Sequence, residues 1–213
     1  ARALARDGRR VLVVDRRPPG LGGARWCNGI VPWQFERAGI PVPTGPERRA
    51  SAGRTHMLSP SGDHRFTVDS PIWEADMRLL GQRLRDDALN AGAAIEWGVT
   101  DLRLRLDRGR PVELSAESPT GTLSVTADLF VDASGREAAV RRAVPVLSRT
   151  CPPPAASDLC SAQQLTFEVV DRSSARRFLD DHGARPGDAV NWMAPVGGYS
   201  VVVVRVEESL DEV

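Results

Sequence analysis

Five groups of residues in this 213-residue chain have types that could do chemistry. The first is Asp15, which closes the aliphatic run Arg10 to Asp15 (Arg-Val-Leu-Val-Val-Asp). An acidic side chain at the end of the second strand of a dinucleotide-binding βαβ unit accepts hydrogen bonds from ribose hydroxyls, about 20 residues beyond a glycine-rich phosphate turn. Counting back that far passes residue 1, so such a turn would lie before the chain. A strand-terminal Asp can equally cap the next turn, and on this residue alone both readings stand. The second group is Asp132 to Gly135, Asp-Ala-Ser-Gly, which ends the apolar run Leu129 to Asp132. Small side chains there let the backbone approach a ligand, and a following helix would aim its amide-rich N-terminus the same way.

The other three groups are weaker. Gly187-Asp188 precedes Val-Asn-Trp-Met-Ala-Pro, a strand-like run, and that context argues against a ligand-binding Gly-Asp turn. His56, His64 and His182 are scattered over a hairpin and a helix end, with no partner at ligand or triad spacing. Cys27, Cys151 and Cys160 form no C-x-x-C pair and have no nearby histidine, so the reading is reduced thiols, with neither a disulfide framework nor a metal site. No catalytic acid, base or nucleophile can be assigned.

Elements must position these residues. Residues 1–7 read as the end of a helix closed by Gly8, followed by a strand at 10–15 buried on both faces in a parallel sheet. Pro32 opens a short helix that Gly39 closes, residues 41–54 read as loop, and Ser-Pro-Ser-Gly-Asp turns a hairpin between 55–58 and 64–68. The longest helix is expected over Glu74 to Ala91, with Met77, Leu80, Leu84, Ala88 and Ala91 on one face and Gly92 as its stop. Three strands, 99–106, 112–116 and 122–127, then form an antiparallel meander, with Leu102, Leu104 and Leu106 opposite Arg103 and Arg105. A short buried strand over 129–132 leads into a helix at 137–142. The Pro-rich stretch 151–155 opens a second region, with strands at 163–170, 190–193 and 199–206 and a helix at 173–182. Residues 207–213 follow without a closing element, so both ends read as cut.

Composition narrows the function. The chain has 28 arginines, no lysine and 28 acidic residues, so its formal net charge is zero. Nothing in that balance favours a nucleic acid or an anionic membrane as partner. No run approaches the 18 or more apolar residues of a membrane span, and the first ten residues do not form a signal peptide, so a cytoplasmic protein is expected.

Taken in order, the βαβ start, the long helix over Asp76 to Gly92, the meander and the strand ending in Asp-Ala-Ser-Gly resemble the FAD-dependent oxidoreductases of the aromatic hydroxylase and geranylgeranyl reductase type. The resemblance covers about residues 1–145. It implies an α/β architecture: a Rossmann-like FAD-binding domain with a β-meander insertion over 1–145, incomplete in its first strand and carrying an excursion at 41–72. Residues 146–213 would begin a β-rich substrate domain. It also implies that Asp15 holds the adenosine ribose, Arg16 lies beside the adenine or ribose phosphate, and the Val99 backbone reads the adenine. Asp132, Ala133, Ser134 and Gly135 would lie near the pyrophosphate. An arginine near the start of the long helix reaches the flavin in this family, and here Met77 holds that register with Arg78 one residue later. Ala138 stands where the family tends to carry Ser. Cys27-Asn28-Gly29 falls where the reductases have a cysteine-containing glycine loop, and Trp192 to Pro195 resembles a worn form of their Tyr-x-Trp-x-Phe-Pro motif. A plain packed thiol and an ordinary buried Trp are the favoured readings of these two. The implied activity is flavin-mediated hydride transfer to an apolar small molecule, with NAD(P)H as a possible donor. A monooxygenase or halogenase on the same scaffold, and a non-catalytic fragment of a flavoprotein, are the alternatives. A simple NAD-dependent dehydrogenase would alternate strand and helix after Asp15, whereas this chain inserts a hairpin and a meander.

Overall fold

A computed structural model describes residues 1–51, 53–196 and 200–207. The chain runs α1 (Arg2–Arg6), β1 (Leu12–Asp15), β2 (Cys27–Ile30), α2 (Pro32–Arg37), β3 (Arg48–Ala50), β4 (Gly53–Leu58), β5 (Arg65–Ser70) and β6 (Trp73–Asp76). It continues through α3 (Met77–Asn90), β7 (Ala94–Trp97), β8 (Thr100–Asp107), β9 (Arg110–Ser118), β10 (Gly121–Thr126), α4 (Ala139–Ala143), α5 (Pro145–Thr150), α6 (Arg172–Asp181), β11 (Ala189–Met193) and β12 (Val201–Arg205). These elements form two compact units, one from Ala1–Gly23 with Gly81–Ala162, the other from Ala24–Leu80 with Gln163–Val213.

In the first unit β1 lies parallel to β7, with Asp15 opposite Trp97. Gly8 ends α1 in the left-handed region (φ 75°), and Ala5 packs with Ala88 and Ala93. The three small side chains let the helices approach this edge closely. The meander forms in the order β10-β9-β8. Leu102, Leu104 and Leu106 are half-buried while Arg103 and Arg105 are exposed, the two-residue alternation of a sheet with one covered face. That face is anchored by buried Val99, Leu114 and Ala116, against which Val14, Leu123 and Phe130 pack.

Two expected features of this unit differ. The run ending at Asp15 is not buried on both faces: Leu12 is 40% exposed, because β1 has a ladder partner on one side only among the described residues. Residues 129–132 form no strand at all. Phe130 reaches the meander core, but Leu129 and Val131 are each 67% exposed. With no described strand beside it the segment has no ladder to join.

In the second unit a four-stranded sheet has the order β12-β11-β4-β5, and a three-stranded sheet the order β2-β6-β3. In the larger sheet β11 runs parallel to β4, while β12 and β5 add antiparallel at the edges. Helix α6 covers one face of this sheet, where Leu179 and Ala184 join Leu58, Val190 and Val206. Asp171 caps the helix, accepting the Ser173 and Ser174 N–H groups.

The long helix starts three residues later than its periodicity suggests, at Met77. Residues 73–76 are instead held in β6 between β2 and β3, and Asp76 then accepts the Arg78 and Leu79 N–H groups. The strand expected over 163–170 is not formed. Only an isolated bridge at residue 168 is present, and the Gln164 side chain bonds instead to both Cys27 backbone groups. Short strands β2, β3, β6 and β7 were not apparent from the sequence. Tyr199 and residues 208–213, which the sequence reading assigned to a strand start and a cut end, lie outside the described residues.

Candidate functional site

The first unit gathers most of the residues singled out in the sequence. Val14, Val99 and Phe130 pack on one meander core, so the end of β1, the start of β8 and the 129–132 segment converge. Asp15 stands at the carboxyl end of β1, the side of a parallel sheet on which ligands bind. One carboxylate oxygen accepts the Arg17 N–H at 2.9 Å. The other has no hydrogen-bond partner among the described residues. Gly22 lies directly over it: a Cβ there would come within 2.6 Å of Asp15 Oδ2. The loop returns over the carboxylate because the Arg17 guanidinium donates to the Leu21 and Gly23 carbonyls. Arg16 is exposed beside it. Val99 is buried, and its N–H is taken by the Asp15 carbonyl at 3.0 Å.

Asp132 organises the turn that follows it. One carboxylate oxygen accepts the Ser134 N–H and hydroxyl, and the other accepts the Arg141 N–H at 2.7 Å. Burial pushes this carboxyl up, but those donors outweigh it and the pKa lies below the usual value. The Ser134 hydroxyl in turn accepts the Ala139 N–H. Ala133, Ser134 and Gly135 are exposed, with Gly135 at φ 68°. The turn therefore presents backbone and small side chains outward, while the Asp132 carboxylate is saturated from within.

These features fit a dinucleotide. Asp15 retains an unbonded acceptor oxygen, which two vicinal ribose hydroxyls could fill. Arg78 belongs to the other unit, where its guanidinium lies 3.7 Å from Asp76.

The second unit holds a cluster that the sequence reading missed. His56 is 2% exposed and Asp188 6%. Asp188 accepts the Arg54 N–H and guanidinium, the Arg185 N–H and His56 Nε2. Burial would raise its pKa, but these donors hold it down at about 2. On the far side of the ring, His56 Nδ1 lies 2.9 Å from the Thr67 hydroxyl. No spacing in the sequence marks this pairing. His56 and Asp188 stand 132 positions apart, and only the parallel pairing of β11 with β4 brings them together. Cys27 is half-buried; burial raises its thiol pKa and Arg49 partly opposes this.

No family model matches the chain. It is 28% identical over 197 residues to digeranylgeranylglycerophospholipid reductase 2 of Methanopyrus kandleri, an alignment covering 92% of this chain and 48% of that protein. Among solved structures, a geranylgeranyl bacteriochlorophyll reductase-like protein from Thermoplasma acidophilum superposes with a TM-score of 0.63 at 14% identity, over 96% of this chain and 49% of that one. Aklavinone-11 hydroxylase, solved with FAD and aklavinone, gives 0.58 at 20% identity over 99% and 41%. The fold is thus the mixed α/β architecture of FAD-binding oxidoreductase domains. In sequence the chain is similar to digeranylgeranylglycerophospholipid reductases, and in fold to FAD-binding oxidoreductases. It spans about half the length of the curated relatives it matches.

Proposed function

We propose that this chain carries the adenosine side of an FAD site and part of a substrate domain, in a cytoplasmic reductase of the geranylgeranyl type acting on an apolar small molecule. The observation that carries the reading is the half-buried Asp15 carboxylate, with an oxygen unbonded at the carboxyl end of a parallel strand. In this reading Asp15 accepts the ribose hydroxyls, Arg16 lies beside the adenine or ribose phosphate, and Val99 contributes its backbone at the adenine. The 132–135 turn lies near the pyrophosphate, and Arg78 lies toward the flavin. Bound FAD supplies the hydride chemistry, with NAD(P)H as donor. The chain's own contribution is to bind, orient and exclude water.

An apolar substrate is supported by the sheet of the second unit. On the face away from α6, Phe66, Val68, Val201 and Val203 are 40–61% exposed beside Met57 and Met193. Reduction is favoured over hydroxylation by the similarity to digeranylgeranylglycerophospholipid reductases along 92% of the chain. The hydroxylase-like neighbours keep oxygenation as the second reading.

Titration of the chain with FAD, followed by flavin fluorescence, tests the cofactor reading. Loss of a charge-assisted hydrogen bond is worth about 1.5–3 kcal/mol, so Asp15→Ala should weaken binding by roughly 10-fold or more. The exposed control Asp101→Ala should not. Equal affinity in all three proteins would remove Asp15 from the site.

A further inference from the structure

The Thr67–His56–Asp188 chain and the cavity next to it carry an inference that is independent of the flavin. Because Asp188 is ionised and takes the His56 Nε2 proton in a hydrogen bond, the neutral ring must be the Nε2–H tautomer. Its Nδ1 lone pair then faces the Thr67 hydroxyl at 2.9 Å. The ring is 2% exposed, so water does not compete for that lone pair, whereas Thr67 lies on the exposed edge strand β5. This is the arrangement of an oriented base beside a hydroxyl.

A place for a reactant adjoins it. Thr67 faces His56 and Arg65 faces Leu58 in the β4–β5 register, two residues along and on the same face, so the pairs lie roughly 7 Å apart. Leu58 and Arg65 line a cavity of about 620 Å³ together with Trp192 and His182. The Arg65 guanidinium lies along its rim beside Gly183, where a Cβ would come within 3.2 Å of Nη1. His182 and Trp192 form an edge-to-face aromatic wall, with centroids 5.2 Å apart.

We propose that Thr67 is a nucleophilic hydroxyl that accepts an acyl group from a small ester, with His56 as its base and Asp188 as the residue that positions the base. The Thr67 Oγ–carbonyl bond forms as the ester C–O bond breaks. The hydroxyl proton passes to His56 Nδ1 and from there to the departing alkoxide, leaving an acyl-threonine and a free alcohol. The Trp192–His182 wall favours a flat ester, and Asp63 and Asp181, which line the cavity with Arg65, favour one without an anionic group.

The test is the 213-residue chain, without added flavin, mixed with p-nitrophenyl acetate. The expected result is a stoichiometric burst of p-nitrophenolate and an acetyl group mapped by peptide mass spectrometry to Thr67. Thr67→Ser should keep the burst. Thr67→Val should abolish it while the protein stays folded by circular dichroism, with a lower melting midpoint because the buried His56 Nδ1 loses its partner. His56→Gln should slow it about 100-fold. Acetylation elsewhere, no burst, or an equal burst from Thr67→Val would overturn the proposal and leave the three residues a purely structural hydrogen-bond chain.

Discussion

The Asp188 carboxylate accepts hydrogen bonds from four protein donors, two of them backbone N–H groups and one an arginine. Its folded pKa of about 2 lies below the ordinary 3.8, so the network stabilises the fold fully above about pH 4 and that contribution fades as pH falls toward 2. Urea midpoints measured across this range should drop for the natural chain. Asp188→Asn should start lower, by about 2–3 kcal/mol, and show a flatter acid limb. If both proteins lose stability in parallel, the carboxylate is not the titrating group. The cluster was invisible in the sequence because its members are 132 positions apart and nothing local marks them as neighbours. The Gly-Asp pair was set aside as a cofactor turn on its context, yet its Asp accepts four hydrogen bonds in the structure. Asp15 was legible, because a βαβ strand end is a local pattern. That the adjoining loop leaves one of its oxygens unbonded was not.

Among the elements, α6 rests on its cap. Asp171 takes two N–H groups and the Ser173 and Ser174 hydroxyls, which hold its carboxyl well below the usual range. Asp171→Ala should lower the thermal midpoint, and Asp171→Asn should recover most of the loss. Gly98 is a stricter case. It sits at φ 68°, and a Cβ would meet Pro119 Cγ at 3.0 Å, so Gly98→Ala should destabilise by about 1–2 kcal/mol; an unchanged denaturation curve would show that the β7–β8 corner relaxes freely. Elements with a local signature were readable: the capped helices, the Gly-turned hairpin and the alternating meander. Strands β2, β3, β6 and β7 have only three or four residues and exist because distant segments pair with them, so no window of sequence announces them. The 129–132 run failed for the opposite reason. Its apolar residues are those of a strand, but the ladder that would make it one is not among the described residues.

At the scale of the whole molecule, the exposed Leu129 and Val131 and the single-sided pairing of β1 leave the proposed dinucleotide corner loosely framed. We expect the 213-residue chain to bind FAD measurably in titration but to shed it on gel filtration. Stoichiometric flavin retained through purification would show that the corner is complete as it stands. Among the described residues no helix is long and apolar enough to cross a membrane.

The Gln164 side chain donates to the Cys27 carbonyl and accepts the Cys27 N–H at 2.8 Å, so one amide group does what a neighbouring strand would do for the open edge of β2. In deuterium solvent the Cys27 amide should therefore exchange slowly for an edge position, at a pace set by how often one side chain changes rotamer. Gln164→Glu keeps the acceptor and loses the donor, and should leave that amide partly protected; Gln164→Ala should release it. A single glutamine thus acts as the clock for the backbone of the segment that carries the half-buried thiol.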